Sequence, residues 1–204
     1  DRLHQRPAQL GDVHRGRDLR RQRGQRGDVL VAVEVPLGVL ELAPAQGLGL
    51  SGPYNGNPVD YLTDAIFAND GWPTTVMSYF DQEASVYFAD QGYSFAFYGT
   101  PMAADIAAMQ TLYGLSTTTR AGDTTYGFNS TAGRDVFNAA LYPEIAYTVF
   151  DSGGIDTLDY SGFGAGQLIN LTEGAFSNVG QKIGTVAIAL GTIIEYAIGG
   201  SGDD

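Results

Sequence analysis

Cysteine is absent from the 204 residues, which excludes disulfide staples and thiolate metal sites. Histidine is nearly absent. His4 and His14 are the two present, and both lie in an arginine-rich stretch with no partners for a metal. No run of 18 or more apolar residues occurs, so no segment reads as a membrane-spanning helix. The first residues have no apolar core of the kind an ordinary signal peptide carries. Basic residues are scarce after the start. Eight of the 11 lie at Arg2, Arg6, Arg15, Arg17, Arg20, Arg21, Arg23 and Arg26, and Arg120, Arg134 and Lys182 follow. Residues 51–204 hold 17 of the 23 acidic residues against those last three bases. A surface so acidic repels nucleic acid and anionic lipid, so no nucleic-acid partner is expected, the weaker alternative being DNA association through the arginine arm. It favours calcium, which takes hard oxygen ligands.

What the chain has in plenty is glycine, at 28 residues, with 12 Tyr and 10 Phe. That profile favours strands and turns over a helical bundle. Residues 1–28 show almost no apolar period and are expected to form a disordered arm. The run from Arg15 to Gly27 also resembles an off-frame translation of GC-rich DNA. Residues 29–42 alternate enough for one strand. Residues 51–75 are loop-like, and 76–99 mix short aromatic runs with polar breaks. Residues 102–113 predict a helix, with Pro101 where a first-turn proline is tolerated, Gly114 as its stop, and an apolar stripe of Ile106, Met109 and Leu112 or Tyr113.

After Gly114 the texture changes to short β-type runs: 124–128, 146–150, 157–160, 167–171, 185–190 and 193–198. Turn clusters separate them at 130–133, 151–154, 161–166 and 199–204. Such spacing implies an all-β sandwich or roll. A domain boundary is expected near 114–119. The division is 1–47 as an arginine-rich segment, 48–114 as a mixed unit, and 115–204 as an all-β unit.

Several motifs carry chemistry. Thr75-Val76-Met77-Ser78-Tyr79 has the form of a methionine turn beneath a metal site, although a methionine between Val76 and Ser78 is equally served by core packing. Asp151, Asp156 and Asp159 lie in one glycine-rich stretch. Glycine lets the backbone fold tightly enough for carbonyls and carboxylates to converge on an ion, and a plain turn between strands is the simpler alternative. Gly199-Gly200-Ser201-Gly202-Asp203-Asp204 matches the start of the calcium repeat G-G-x-G-x-D-x-U-x, or a flexible linker.

Taken in order, five segments resemble the serralysin-type metzincins, the secreted bacterial metalloproteases with calcium repeats. They are Gly49-Leu50-Ser51-Gly52-Pro53, the Met77 turn about 25 residues later, Asp105-Ile106-Ala107-Ala108 with Leu112-Tyr113-Gly114, the stretch 119–129, and Phe150 to Asp159. Asn170-Leu171 and Phe176 to Gly180 continue the likeness, which covers residues 48–204. The resemblance implies an α+β fold: the end of a metzincin catalytic domain, with the Met-turn loop and one helix, then an all-β calcium-binding domain leading into a parallel β-roll. It implies that Met77 supports a zinc floor and that Tyr79 is a reversible fifth zinc ligand stabilising the oxyanion. It implies one calcium site from Arg120, Gly122, Thr124, Asp151, Gly153 and Asp156, with backbone oxygens from Arg120 and Gly122. A second would use Gly154, Asp156 and Glu195, and Asp203 would serve the repeat. Protein substrates, type I secretion machinery and an extracellular Gram-negative setting follow for intact relatives.

One part of the pattern fails. Aligning H-E-x-x-H-x-x-G-x-x-H on Gly49 puts Leu42, Gln46 and Gly52 at the three histidines and Ala43 at the glutamate. Leu, Gln and Gly cannot replace three imidazoles on Zn²⁺, and Ala43 cannot activate a water. Pro44 would also disturb the zinc-carrying helix. No zinc ligand remains, and the chain as written is expected to be inactive. A frame error upstream of about Leu48, a foreign N-terminus and a pseudoenzyme are the three explanations. A non-catalytic calcium-binding β-roll module for folding or secretion is the alternative function.

Overall fold

A computed structural model describes residues 59–65 and 67–204. The arginine-rich arm, the strand expected at 29–42, and the positions of Leu42, Ala43, Gln46, Gly49 and Gly52 lie outside the described residues.

Among the described residues, two short helices come first, α1 (Tyr61–Asp64) and α2 (Val86–Ala89), followed by α3 (Ala103–Tyr113). Asp60 caps α1 by accepting from the Leu62 and Thr63 amides. The helix expected at 102–113 is present as α3, and Gly114 ends it at φ 83. Its buried face differs from the expected stripe. Ala103, Ala104, Ile106, Ala107 and Ala108 are buried, while Met109, Leu112 and Tyr113 are exposed. Small side chains let the helix lie close to its neighbours, so the inward face is the alanine face.

Among the described residues, six strands are present and all lie in 115–204: β1 (Thr125–Gly127), β2 (Tyr147–Val149), β3 (Thr157–Asp159), β4 (Phe176–Val179), β5 (Lys182–Ile188) and β6 (Tyr196–Ile198). They form two three-stranded sheets. In the first, β1, β3 and β6 run parallel, with Thr125, Thr157 and Tyr196 in one row. In the second, β5 sits between β2, which is parallel to it, and β4, which is antiparallel. The run at 167–171 makes no strand, only a bridge from Leu168 to Asn178. β4 was not expected, because Phe176-Ser177-Asn178-Val179 gives too few alternations to separate a strand from a turn.

The core lies between the sheets. Tyr126 and Leu158 from the first meet Tyr147, Val149, Val186 and Ile188 from the second, with Phe137 from a 3₁₀ turn (Asp135–Phe137). Phe137 stands edge-on to both Tyr126 and Tyr147, at centroid distances of 5.2 and 5.3 Å.

Residues 94–100 tie the α3 side to the β side. The Ala146 amide donates to the Phe97 carbonyl at 2.7 Å, and the Gly99 amide donates to the Ala146 carbonyl at 2.8 Å. The Thr148 amide donates to Thr100 Oγ1, and the Ser94 amide donates to the Ile183 carbonyl. These bonds extend the second sheet beyond its edge at β2.

Candidate functional site

The candidate residues fall in two places, the turn at Met77 and the acidic loops beside β1 and β3.

The turn is held from below by Asp105, in the first turn of α3. Its Oδ1 accepts the Thr75 hydroxyl at 2.6 Å, and its Oδ2 accepts the Val76 and Met102 amides, each at 2.9 Å. The Ala104 amide donates to the Thr74 carbonyl, and the Trp72 indole donates to the Ser78 carbonyl. One carboxylate thus takes three donors and fixes a loop that has no regular ladder of its own. Sequence reasoning noted Asp105 only as a letter in a motif, since residues 75 and 105 are brought together by the fold alone. Met77, expected to be buried, is 39% exposed, and Tyr79 is 63% exposed. The described residues that face this turn do not cover it.

The acidic loops converge because β1 and β3 are parallel neighbours, which places the segments entering them side by side. The segment at 119–124 enters β1, and 150–156 enters β3. The Ser152 amide donates to the Thr119 carbonyl, and the Ile155 amide to Asp123 Oδ1. Gly154 lies directly against the Gly122 backbone. A Cβ there would sit 2.6 Å from the Gly122 carbonyl oxygen, and its φ of +130 is one that only glycine adopts without strain. Thr124 Oγ1 donates to that same carbonyl at 2.8 Å.

Asp156 is fully buried. Its Oδ1 accepts the Thr124 amide at 2.8 Å, and its own amide donates to Glu195 Oε2 at 2.7 Å. Its other oxygen, Oδ2, is buried and meets no donor. Burial first, and then the nearby Asp151, Glu195 and Asp123 carboxylates, push its carboxyl up to about 6, against the lowering effect of the Thr124 amide. Asp151 is buried as well, with Oδ1 accepting the Gly153 amide at 3.0 Å and Oδ2 accepting the Tyr126 hydroxyl at 2.6 Å. A buried carboxylate oxygen without a donor, among other carboxylates, is the arrangement a cation would relieve.

The structure therefore brings together Arg120, Gly122, Thr124, Asp151, Gly153, Gly154, Asp156 and Glu195. Arg120 stands at φ 47, and its side chain donates from Nε to the Tyr126 hydroxyl at 2.7 Å and from Nη2 to the Phe150 carbonyl. Asp159 points elsewhere. It accepts from Asn129 Nδ2 and the Ser161 amide, which outweigh its burial and hold its carboxyl below the usual range. Tyr126 belongs to the 119–129 stretch but is given no part in the site by the sequence, and Thr192 lies outside every motif. Thr192 Oγ1 accepts the Asp151 amide and donates to the Asp151 carbonyl. Among the described residues, no group of three or more His, Cys, Asp or Glu side chains is arranged to hold a metal. A cation here would depend on backbone and hydroxyl oxygens beside the carboxylates, as calcium does.

At the end of the chain, counting G-G-x-G-x-D from Gly199 puts the repeat carboxylate at Asp204, not Asp203. Asp204 Oδ1 accepts the Gln167 amide at 2.8 Å, which closes 199–204 over the turn at 163–167. Asp203 is exposed, and it is its backbone rather than its carboxylate that lies against Gly166.

Residues 115–204 match the family model for the serralysin C-terminal domain of the M10 peptidases. The chain is 44% identical over 166 residues to Serralysin C of Dickeya chrysanthemi, covering 80% of this chain and 34% of that protein. It is 43% identical over 166 residues to Metallopeptidase AprA of Pseudomonas marginalis, and 46% identical over 167 residues to Serralysin of Proteus mirabilis. The chain covers 35% and 33% of those two proteins, so it spans about a third of the length of the relatives it matches.

Proposed function

This is a partial chain of the serralysin-type metalloproteases, and from that premise we propose that residues 115–204 form their calcium-dependent β unit. The observation that carries the proposal is Asp156 Oδ2, buried without a donor beside Asp151 and Glu195. Calcium would be held there by the carboxylates of Asp151 and Asp156, by Thr124, and by backbone oxygens of Arg120, Gly122 and Gly153. Gly154, Asp156 and Glu195 would serve a second ion. Bound calcium supplies charge that offsets the mutual repulsion of these carboxylates. Thr124 and Gly153 meanwhile orient them through their amides. The row of three parallel strands β1, β3 and β6 supports the reading that 115–204 leads into a parallel β-roll.

For the upstream part, the reading is the end of a metalloendopeptidase catalytic domain acting on protein substrates outside a Gram-negative cell. Met77 and Tyr79 are the residues assigned to it, on a turn that Asp105 fixes. The zinc ligands do not fit. Leu42, Gln46 and Gly52 stand at their positions, so no hydrolytic step is derived for this chain.

Two measurements test this. Calorimetric titration of the chelated chain is expected to show saturable calcium binding with a rise in thermal stability. Casein hydrolysis with added zinc is expected to be absent. A chain whose stability ignores calcium would overturn the first reading, and zinc-dependent, chelator-sensitive cleavage would overturn the second.

A further inference from the structure

We propose that Tyr126 is the positioning residue of the cation site: its hydroxyl, locked by Arg120, sets the direction of the Asp151 carboxylate. The inference rests on the calcium reading above and gives a role to a residue of the 119–129 stretch that the implied ligand set leaves out.

The two carboxylates of the site arrive from different sheets. Asp156 immediately precedes β3 of the first sheet, whereas Asp151 follows β2 of the second by two residues. Asp156 is anchored within its own sheet, through the Thr124 amide at the entry to β1. Asp151 has no strand partner of its own in the first sheet. Thr192 holds its backbone, and what joins its carboxylate to that sheet is Tyr126, in the middle of β1 and paired in register with Leu158. The 2.6 Å hydrogen bond from its hydroxyl to Asp151 Oδ2 crosses between the sheets.

The hydroxyl has one proton and must be told where to send it. Arg120 Nε donates to the Tyr126 oxygen at 2.7 Å, which fills an acceptor position and leaves the proton to Asp151. The guanidinium is itself held. It lies over the Phe137 ring at 5.0 Å and the Tyr126 ring at 5.7 Å, and it donates to the Phe150 carbonyl beside Asp151. Tyr126 is completely buried with its ring edge-on to Phe137, so the phenol has no freedom to turn away. A tyrosine needed only for its ring would do as well as phenylalanine. Here the hydroxyl joins an arginine to a carboxylate at the edge of an oxygen-lined loop. Outer groups of this kind orient metal ligands, and their removal typically costs about 10–100-fold in metal affinity.

The test compares three full-length variants by calcium titration against a chelator of known affinity, with thermal melts in the absence of calcium. Tyr126→Phe is expected to weaken calcium binding by about 10–100-fold. Arg120→Gln keeps the backbone carbonyl and the tyrosine and removes the lock, and it is expected to weaken binding in the same direction. This second variant decides the matter if Tyr126→Phe does not fold without calcium. Tyr147→Phe is the control. It removes one member of the buried Tyr147–Tyr160 hydroxyl pair, 2.6 Å apart in the same core, and touches no residue of the site. It is expected to lower the calcium-free melting temperature with calcium affinity unchanged. If Tyr126→Phe behaves like Tyr147→Phe, losing stability at full affinity, the positioning role is overturned and the site stands. If the unsubstituted chain takes up no calcium at all, the site reading and this inference fall together.

Discussion

Replacing Asp156 with asparagine should stabilise the calcium-free protein while abolishing its response to calcium. The carboxyl is held at about 6 in the fold against 3.8 ordinarily. At pH 8 the buried charge therefore costs about 3 kcal/mol, at about 1.4 kcal/mol for each pH unit of displacement. Asparagine removes that charge and keeps an oxygen for the Thr124 amide. It also buries an amide nitrogen where Oδ2 stood without a donor, at a cost of about 1–2 kcal/mol. The net gain is on the order of 1–2 kcal/mol, or a few degrees in melting temperature. With calcium at about 100 times its dissociation constant, the unsubstituted chain gains about 2.7 kcal/mol and the variant should gain almost none.

The sign of the pH dependence is fixed by the same shift. A carboxyl raised in the fold stabilises while protonated, so its contribution is full below 3.8 and is lost as pH rises through 6. The calcium-free gap between Asp156→Asn and the unsubstituted chain should accordingly change sign: near pH 4 only the amide cost remains and the variant is about 1 kcal/mol less stable, whereas by pH 7 it is the more stable of the two. Thermal melts by circular dichroism at four pH values, with and without calcium, read all of this. A variant less stable than the parent in chelator at pH 8, or one that keeps the full calcium shift, would refute the reasoning.

Gly154→Ala should destabilise the chain by about 2–4 kcal/mol with or without calcium, since the new methyl meets the Gly122 carbonyl at a φ of +130; urea denaturation measures it, and a loss under about 0.5 kcal/mol would mean the two loops are not apposed. Asp105→Asn leaves one oxygen for three donors and removes the charge that strengthens those bonds, so a loss of about 2–3 kcal/mol is expected. Hydrogen exchange at the Val76 and Met102 amides should quicken in that variant before exchange in β5 does.

The α3 helix shows where sequence reading stops. Gly114 sets its C-terminal end as expected because capping is local chemistry, while the helix begins one residue later than 102, with Met102 as its cap and Pro101 outside it. Its inward face was misjudged because Met109, Leu112 and Tyr113 satisfy a helical period while the packing neighbours favour alanine. β1, β2, β3, β5 and β6 were anticipated within a few residues from β-rich runs between glycine turns. β4 has no such run, and its strand state comes from pairing with β5.

The site divides along the same line. Glycine, aspartate and their spacing belong to the chain itself, and they located both acidic loops and the absence of zinc-binding histidines at 42, 46 and 52. Which oxygens face one another was decided only in three dimensions. Residues 120–126, 151–156 and 192–195 are distant in sequence and meet because β1, β3 and β6 stack in parallel. That stacking places Tyr126 against Asp151, turns Asp159 away toward Asn129, and leaves one oxygen of Asp156 buried without a donor. Local rules reach a few residues along the backbone, whereas the electrostatics of a cation site depend on distances that only packing between sheets can set.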